Sequence, residues 1–369
     1  MGFGQHPLLR PDGRDLDPEK VWSLTEDDAY GLFADFRWAD SGGNPYCPRC
    51  GCLKPYNVRR RRFRCSEPEC RAEFSVTSGT VFANRKLSFK KIIMAIWEEI
   101  TAAKGMAALH LSRKLNVQYK TAYVLLQKLR EAVGLRRDAI KLQGTVQIDG
   151  KYVGGVLRKA NKKEERKDGR KKENQNGKRM CVLALREANR HAPNRTLTRV
   201  IMDENGRDAW AAVAKHVDPK ALLIADEHKA YDDLIGLVQL TRVNHSLQYQ
   251  EENGTNSNVI ESFFSRVEKA YKGINHRFST KYLDWYMAML SWKEDTRYMG
   301  LRWQFADLLR TITSRPTSRN LCGYWQCASQ NIVDQVWLQG RAQHDAVLKI
   351  LADKGSIDID GRAAPWRAQ

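Results

Sequence analysis

The sequence predicts an α/β protein: a mixed-sheet core preceded by a small cysteine-rich module and a group of three helices. Three observations predict it. Five of the eight cysteines fall between positions 47 and 70. From Ser88 to Val133 apolar residues recur at helical spacing. From position 144 onward, short apolar runs of strand length alternate with helical patterns, as in a sheet covered by helices.

Composition narrows the class. A chain of 369 residues is long enough for two or three domains, and an apolar share of 42% supports a sizeable core. The net charge of +19 is uneven. Residues 47–137 carry 20 Lys and Arg against 6 Asp and Glu, and residues 158–179 carry 11 against 4. The remainder is close to neutral. Positive charge confined to a domain-sized region points to a polyanion, and specifically to nucleic acid. The longest apolar runs, such as "IIMAIW", fall far short of a span, so no membrane association is expected. The N-terminal "MGFGQHPLLRPDGRDL" has no signal-peptide apolar region, and His6 breaks the myristoylation pattern. The expectation is a cytoplasmic, nucleoid-associated protein whose thiols stay reduced.

Residues 1–40 are assigned to an N-terminal helical segment and residues 41–85 to a zinc ribbon. In "CPRCGCLKPYNVRRRRFRCSEPEC", Cys47 and Cys50 form one pair, and Cys65 and Cys70 a second, looser one. Two thiolate pairs separated by a hairpin's length converge tetrahedrally on Zn2+. Pro48 and Gly51 suit a tight knuckle in which backbone N–H groups point at sulfur. A module this small cannot bury enough apolar surface to fold alone. A structural zinc contributes on the order of 10–16 kcal/mol, which makes up the deficit. Cys52 is a spare thiol able to compete as a ligand. Arg59, Arg60, Arg61 and Arg62 form either a solvated hairpin or a DNA-binding edge. Bidentate guanidinium chemistry favours phosphate contact.

Residues 86–140 read as a helix-turn-helix. Phe89, Ile92, Ile93, Ile96, Trp97 and Ile100 share one helical face, with Ser88 as N-cap. A short helix over 106–115 follows, then the turn "NVQYK", then a helix with Ala122, Leu125, Leu126, Leu129, Ala132 and Val133 on one side. A short turn before the last of three helices fits the motif. Tyr119, Lys120, Tyr123 and Lys128 would face outward, with Lys120 and Lys128 as candidate DNA contacts.

Residues 141–298 hold the core. Val146 and Ile148 are the buried side of a strand, and Asp149 sits where that strand is expected to end. "RMCVLALREA", "TLTRVIMDE" and "LTRVNHS" read as further strands. "ALLIADEHKAY" reads as a strand buried on both faces that ends at Asp226. "DAWAAVAKHV" and "NVIESFFSRVEKAY" read as helices, the second with Glu261 in its first turn. Chemistry in such sheets gathers at the carboxyl ends of strands. Two aspartates held there repel by about 1 kcal/mol in water at 4 Å and about 4 kcal/mol at an effective dielectric of 20. Either one protonates, or a hard divalent cation such as Mg2+ lies between them. A pair of such ions suits phosphoryl displacement. His228 and His245 read as polar neighbours rather than ligands.

With these residues in view, the chain resembles the DDE insertion-sequence transposases of the ISXO-two-like group, which carry an N-terminal zinc ribbon. The matching motifs occur in order: "CPRCG" with the second cysteine pair, "FSVTSGTVF", "IDGKYVGG", "IADEHKAY", "VNHSLQY" and "TNSNVIESFFSRVEKAYKGINHRFSTKYLDWY". They span residues 25–298. The resemblance implies an RNase H-like catalytic core with Asp149 and Asp226 holding Mg2+ or Mn2+ and Glu261 as the third catalytic position. Asn258 is the alternative third residue, since some members are described with Asn there. Members also carry a basic pair seven and eight positions beyond the Glu. Here those positions are Glu268 and Lys269, which leaves Lys269 as the phosphate contact.

The implied activity is hydrolysis of a phosphodiester at an element end, followed by attack of the freed 3′-hydroxyl on target DNA. The ribbon and helix-turn-helix would bind terminal inverted repeats, in a homodimer or larger assembly on double-stranded DNA. The rivals are a structure-selective nuclease of the same fold and an inactive DNA-binding regulator. The basic loop 158–179, nearly devoid of apolar residues, is expected to be extended and to touch DNA. Residues 299–369 are expected to form a helical tail on the core or on a second protomer. Cys322 and Cys327 lie in that tail with no partner pair.

Overall fold

The computed structural model describes residues 9, 11–154, 162–165, 179–189, 193–243 and 258–316. Residues 158–161 and 166–178 of the basic loop, His245, Cys322, Cys327 and the helices expected beyond position 316 lie outside the described residues. Two compact units emerge: residues up to Arg137 together with those from Thr296, and Asp138–Asp295.

In the first unit, helix α1 (Pro18–Ser23) precedes α2 (Glu26–Arg37). A capping box starts α2: Asp28 N–H donates to Thr25 Oγ1 at 3.1 Å, and Thr25 N–H to Asp28 Oδ2 at 2.9 Å. A three-stranded antiparallel sheet follows, β1 (Tyr56–Arg59), β2 (Arg62–Arg64) and β3 (Glu73–Phe74). Helices α3 (Phe89–Thr101), α4 (Ala108–Leu115) and α5 (Tyr119–Arg136) complete the run. Ser88 caps α3, accepting from Lys91 N–H at 3.3 Å. Glu26 reinforces that end from α2, accepting from Phe89 and Lys90 N–H at 2.9 and 3.0 Å. Asn116, in the left-handed region at φ 48°, turns the chain between α4 and α5.

The helix Leu301–Ser314, expected as part of a tail on the core or on a partner, belongs to this first unit. Its Phe305, Leu308, Leu309 and Ile312 are buried. Arg136 pairs with Asp307 at 2.6 Å, and Arg37 Nη1 donates to Thr313 O at 2.9 Å. An amphipathic stripe announces that a helix will pack, and only the fold chooses its partner.

The second unit is a five-stranded sheet: β4 (Thr145–Gly154), β5 (Arg179–Glu187), β6 (Thr196–Ile201), β7 (Leu222–Ala225) and β8 (Gln239–Arg242). The strand order is β6-β5-β4-β7-β8. β6, β5 and β4 are antiparallel neighbours, while β7 and β8 run parallel to β4. Helix α6 (Gly206–His216) covers one face. There Val146, Ile148, Leu183, Leu185 and Leu197 pack with Trp210, Val213, Tyr231 and Leu234. Helices α7 (Asn258–Ala270) and α8 (Leu283–Thr296) serve the other face. On that side Arg186 meets Glu294 at 3.0 Å, and Thr196 N–H donates to Asp295 Oδ2 at 2.9 Å. Among the described residues no helix is long and apolar enough to cross a membrane.

One expectation is corrected. Asp149 does not end its strand: β4 runs five residues further, to Gly154. The antiparallel ladder with β5 continues to Gly154↔Arg179, whereas the parallel ladder with β7 stops at Ile148↔Ala225. The strand boundary was inferred from apolar alternation, but a hydrogen-bonded neighbour can carry a strand past the end of its apolar run.

Candidate functional site: a sulfur quartet and an acidic sheet edge

The four paired cysteines meet as the spacing predicts. The sulfurs of Cys47, Cys50, Cys65 and Cys70 all lie within 4.8 Å of one another, with Cys47–Cys70 at 3.7 Å and Cys50–Cys65 at 3.4 Å. Burial works against ionising Cys47, yet the backbone N–H groups of Cys50 and Arg49 hold its thiol down to about 7. Four convergent sulfurs served by amide donors fit zinc. Cys52 stands apart, its Sγ 3.2 Å from Ser66 Oγ. Cys181 is buried in the sheet's core.

The arginine run is partly engaged within its own unit. Arg60 forks onto Asp27 at 3.0 and 2.9 Å. Arg61, at φ 60° in the hairpin turn, pairs with Asp27 and reaches Glu26 at 3.4 Å. Arg59 lies 3.9 Å from Glu73, while Arg62 is exposed. Acidic residues of α2, far upstream, therefore face a stretch that looks uniformly basic in sequence. Lys120 is exposed at the start of α5, and half-buried Lys128 lies 5.8 Å from the Phe82 ring centroid.

The acidic residues gather at one edge of the five-stranded sheet. β4 and β7 are parallel neighbours, and Asp226 is the first residue after their last paired rung, level with Asp149. Alternation along β4 places Gln147 and Asp149 on one face and Val146, Ile148 and Gly150 on the other. Asp149 Oδ1 accepts from Gly150 N–H at 2.7 Å. The turn after β7 is held from two sides. Asp226 Oδ1 accepts from His228 N–H at 3.0 Å, and Arg242 of β8 donates to the carbonyls of Asp226 at 2.6 Å and His228 at 3.1 Å. His228 Nδ1 in turn accepts from Ala230 N–H at 3.3 Å. Burial, first, and then the charges of Asp226, Glu204 and Glu261 push the Asp149 carboxyl up to about 7.

Glu261 lies in the first turn of α7, and Asn258 opens that helix. Both are exposed, as is Lys269. Gln147 is the residue the sequence reading missed. Its side chain, buried to 2% exposure, accepts from Ile260 N–H at 2.9 Å. Ile260 N–H is one of the first-turn donors that a helix cannot satisfy itself. The strand that carries Asp149 thus pins the helix turn that carries Glu261. An amide two positions before Asp149, on the same face and flanked by apolar residues, was the available signal. Gln147→Leu should cost about 1–3 kcal/mol, because Ile260 N–H is left buried and unpaired. Urea unfolding and faster amide exchange at Ile260 would register it.

Glu268 occupies the place where the resemblance implies a base. It is bracketed by Lys272 at 2.6 Å and Lys151 at 3.7 Å, which restore a positive surround.

Among the described residues the sulfur quartet is the one group of three or more ligand atoms drawn within 4.8 Å. Asp149, Asp226 and Glu261 do not form such a group. Their hard oxygens and mutual repulsion fit a divalent cation.

Comparison with known families finds two matches. Residues 141–295 match the ISXO2-like transposase domain, and residues 24–73 match the transposase zinc-ribbon domain. No curated protein and no solved structure matches the chain.

Proposed function

We propose that the chain is a transposase of the ISXO2-like family, whose transposase domain matches residues 141–295 and whose zinc-ribbon domain matches residues 24–73. On that footing we propose that it cuts DNA at the ends of an insertion sequence and joins the freed 3′-hydroxyl to target DNA. The chemistry would take place at Asp149, Asp226 and Glu261. The observation that carries this reading is the level placement of Asp149 and Asp226 at the edge of two parallel strands, with α7 tied to the same strand. The strand order, three antiparallel strands followed by two parallel ones, supports an RNase H-like core.

Mg2+ or Mn2+, when bound, would polarise the scissile phosphate and lower the cost of forming an attacking oxyanion. The chain's own part is to hold carboxylate oxygens toward that place. Glu261 is favoured over Asn258 as the third residue, because a carboxylate offers a divalent cation a hard anionic oxygen and an amide only a neutral one. Lys269 would contact phosphate. The zinc ribbon, with Arg59 to Arg62, and a helix-turn-helix of α3 to α5, with Lys120 and Lys128, would bind the terminal inverted repeats. A homodimer or larger assembly would bring two ends together in the nucleoid.

A strand-transfer assay tests the reading. A duplex carrying the inverted repeat and a precut 3′-hydroxyl should be joined to a target plasmid with Mg2+ or Mn2+. Cutting without joining would instead indicate a nuclease, and binding without either a regulator.

The site should also titrate. The Asp149 carboxyl, raised to about 7, holds its proton more tightly folded than unfolded. In metal-free protein its contribution to stability is therefore full below its ordinary value of 3.8 and is lost as pH rises through about 7. A cation must displace that proton. Mn2+ affinity should rise about tenfold per pH unit up to that point and level off above it. Mn2+ titrations between pH 5.5 and 8.5 would show the break, and Asp149→Asn should remove it.

A further inference from the structure

So far Gly150 has entered only as a backbone donor to Asp149, and Glu204 only as a charge acting on it. Gly150 follows Asp149 and points to the opposite face of the sheet. A β-carbon added there would lie 2.6 Å from both carboxylate oxygens of Glu204. Glu204 thus fills the volume that any side chain at 150 would need. It is no loose surface chain, since its side chain is only 9% exposed.

Its contacts reach both aspartate-bearing elements. The Tyr231 hydroxyl donates a short hydrogen bond to Glu204 Oε1, and Tyr231 is fully buried. His228 Nδ1 lies 4.0 Å from the same oxygen. Both residues belong to the stretch that follows Asp226. From the other side, Glu204 N–H donates to the Tyr152 hydroxyl at 3.2 Å, and Tyr152 lies on β4 beyond Asp149. One residue, sitting behind the sheet edge, touches the strand of the first aspartate and the segment of the second.

We propose that Glu204 is a positioning residue: packed on Gly150 and held by Tyr231, it locks the Asp149 rung of β4 to the segment after Asp226, so that the two carboxylates are presented together to a divalent cation. The inference rests on the reading of Asp149 and Asp226 as the cation-holding pair. Glu204 acts from the face opposite Asp149, through contacts rather than by ligation. It also fits the glycine in "IDG": with Glu204 held in this place, a β-carbon at 150 would crowd its carboxylate. A charged acceptor holds a hydroxyl more strongly than an amide does, so Gln should be a weakened lock and Ala a broken one.

The test measures Mn2+ binding to the full-length protein by electron paramagnetic resonance, with Mn2+ alone and no DNA. Partners behind a metal site typically contribute about 10–100-fold in affinity. Glu204→Ala should fall in that range, Glu204→Gln should recover part of the loss, and Tyr231→Phe should lose affinity in the same direction. Gly150→Ala should weaken binding in the parent but add little in the Glu204→Ala background, where its obstacle is gone. Should Glu204→Ala fail to fold, Tyr231→Phe, which removes a single oxygen, carries the test. Unchanged Mn2+ affinity in Glu204→Ala or Tyr231→Phe, even with a lowered melting temperature, would overturn the proposal. So would an equal loss in Gln and Ala, which would mean that the charge itself binds the cation. Asp149→Ala is the control for the underlying reading. If it binds Mn2+ like the parent, the site reading fails. If it alone loses Mn2+, only the role of Glu204 fails.

Discussion

Asp149→Ala should abolish metal-dependent DNA cleavage, by a factor on the order of 10^3 or more, and leave DNA binding intact. Losing one of two carboxylates that hold a cation is expected to remove about 4 kcal/mol of transition-state stabilisation, which is three decades in rate. Asp226→Ala should behave alike, because the register places both residues on one level of neighbouring strands. DNA affinity should not fall, since removing negative charge from a surface that meets phosphate cannot weaken the attraction. The same substitution should raise the melting temperature of the metal-free protein above pH 7. Burial and the charges of Asp226, Glu204 and Glu261 all oppose ionising Asp149, and alanine relieves them. A residue kept for stability would show the reverse. Single-turnover cleavage of an inverted-repeat duplex, fluorescence anisotropy and a thermal melt, run on one preparation, decide the matter. Full cleavage by Asp149→Ala would remove the catalytic site from this sheet edge.

Cys65→Ser should unfold the ribbon and nothing in the Asp138–Asp295 unit. The ribbon's three strands have four, three and two residues. So little sheet cannot offset the chain entropy of ordering the module. Zinc binding worth on the order of 10–16 kcal/mol is what holds such a module folded. Cys65 is fully buried, and serine offers a hard oxygen where a soft thiolate is needed. Without zinc, amide exchange protection across Cys47–Phe74 should collapse. The Arg60 and Arg61 pairs with Asp27 and Glu26 should be lost with it, and DNA affinity should fall. Cys52→Ser should retain zinc, since the Cys52 sulfur faces Ser66 outside the quartet. Exchange-resistant ribbon amides after complete chelation would show that the module folds by its apolar contacts alone.

Local pattern by itself determined much of this protein. Cysteine spacing located the sulfur quartet, because ligands a few residues apart are confined to one knuckle whatever the rest of the chain does. Helical period placed α3, α5, α6 and α7, and the cap at Ser88, because a helix satisfies its backbone within a few residues. The strands of the core were legible in order, and so were Asp149, Asp226 and Glu261 as candidates.

What only the tertiary structure decided depends on residues far apart in the chain. Strand register set Asp149 level with Asp226 and carried β4 past the apolar run that seemed to end it. Gln147 reaches Ile260 across 113 positions. Glu204 meets Gly150 and Tyr231, and Arg60 and Arg61 meet the acids of α2. No short-range period encodes such meetings. They follow from which faces are buried and which ladder pairs form, and those are properties of the packed chain as a whole.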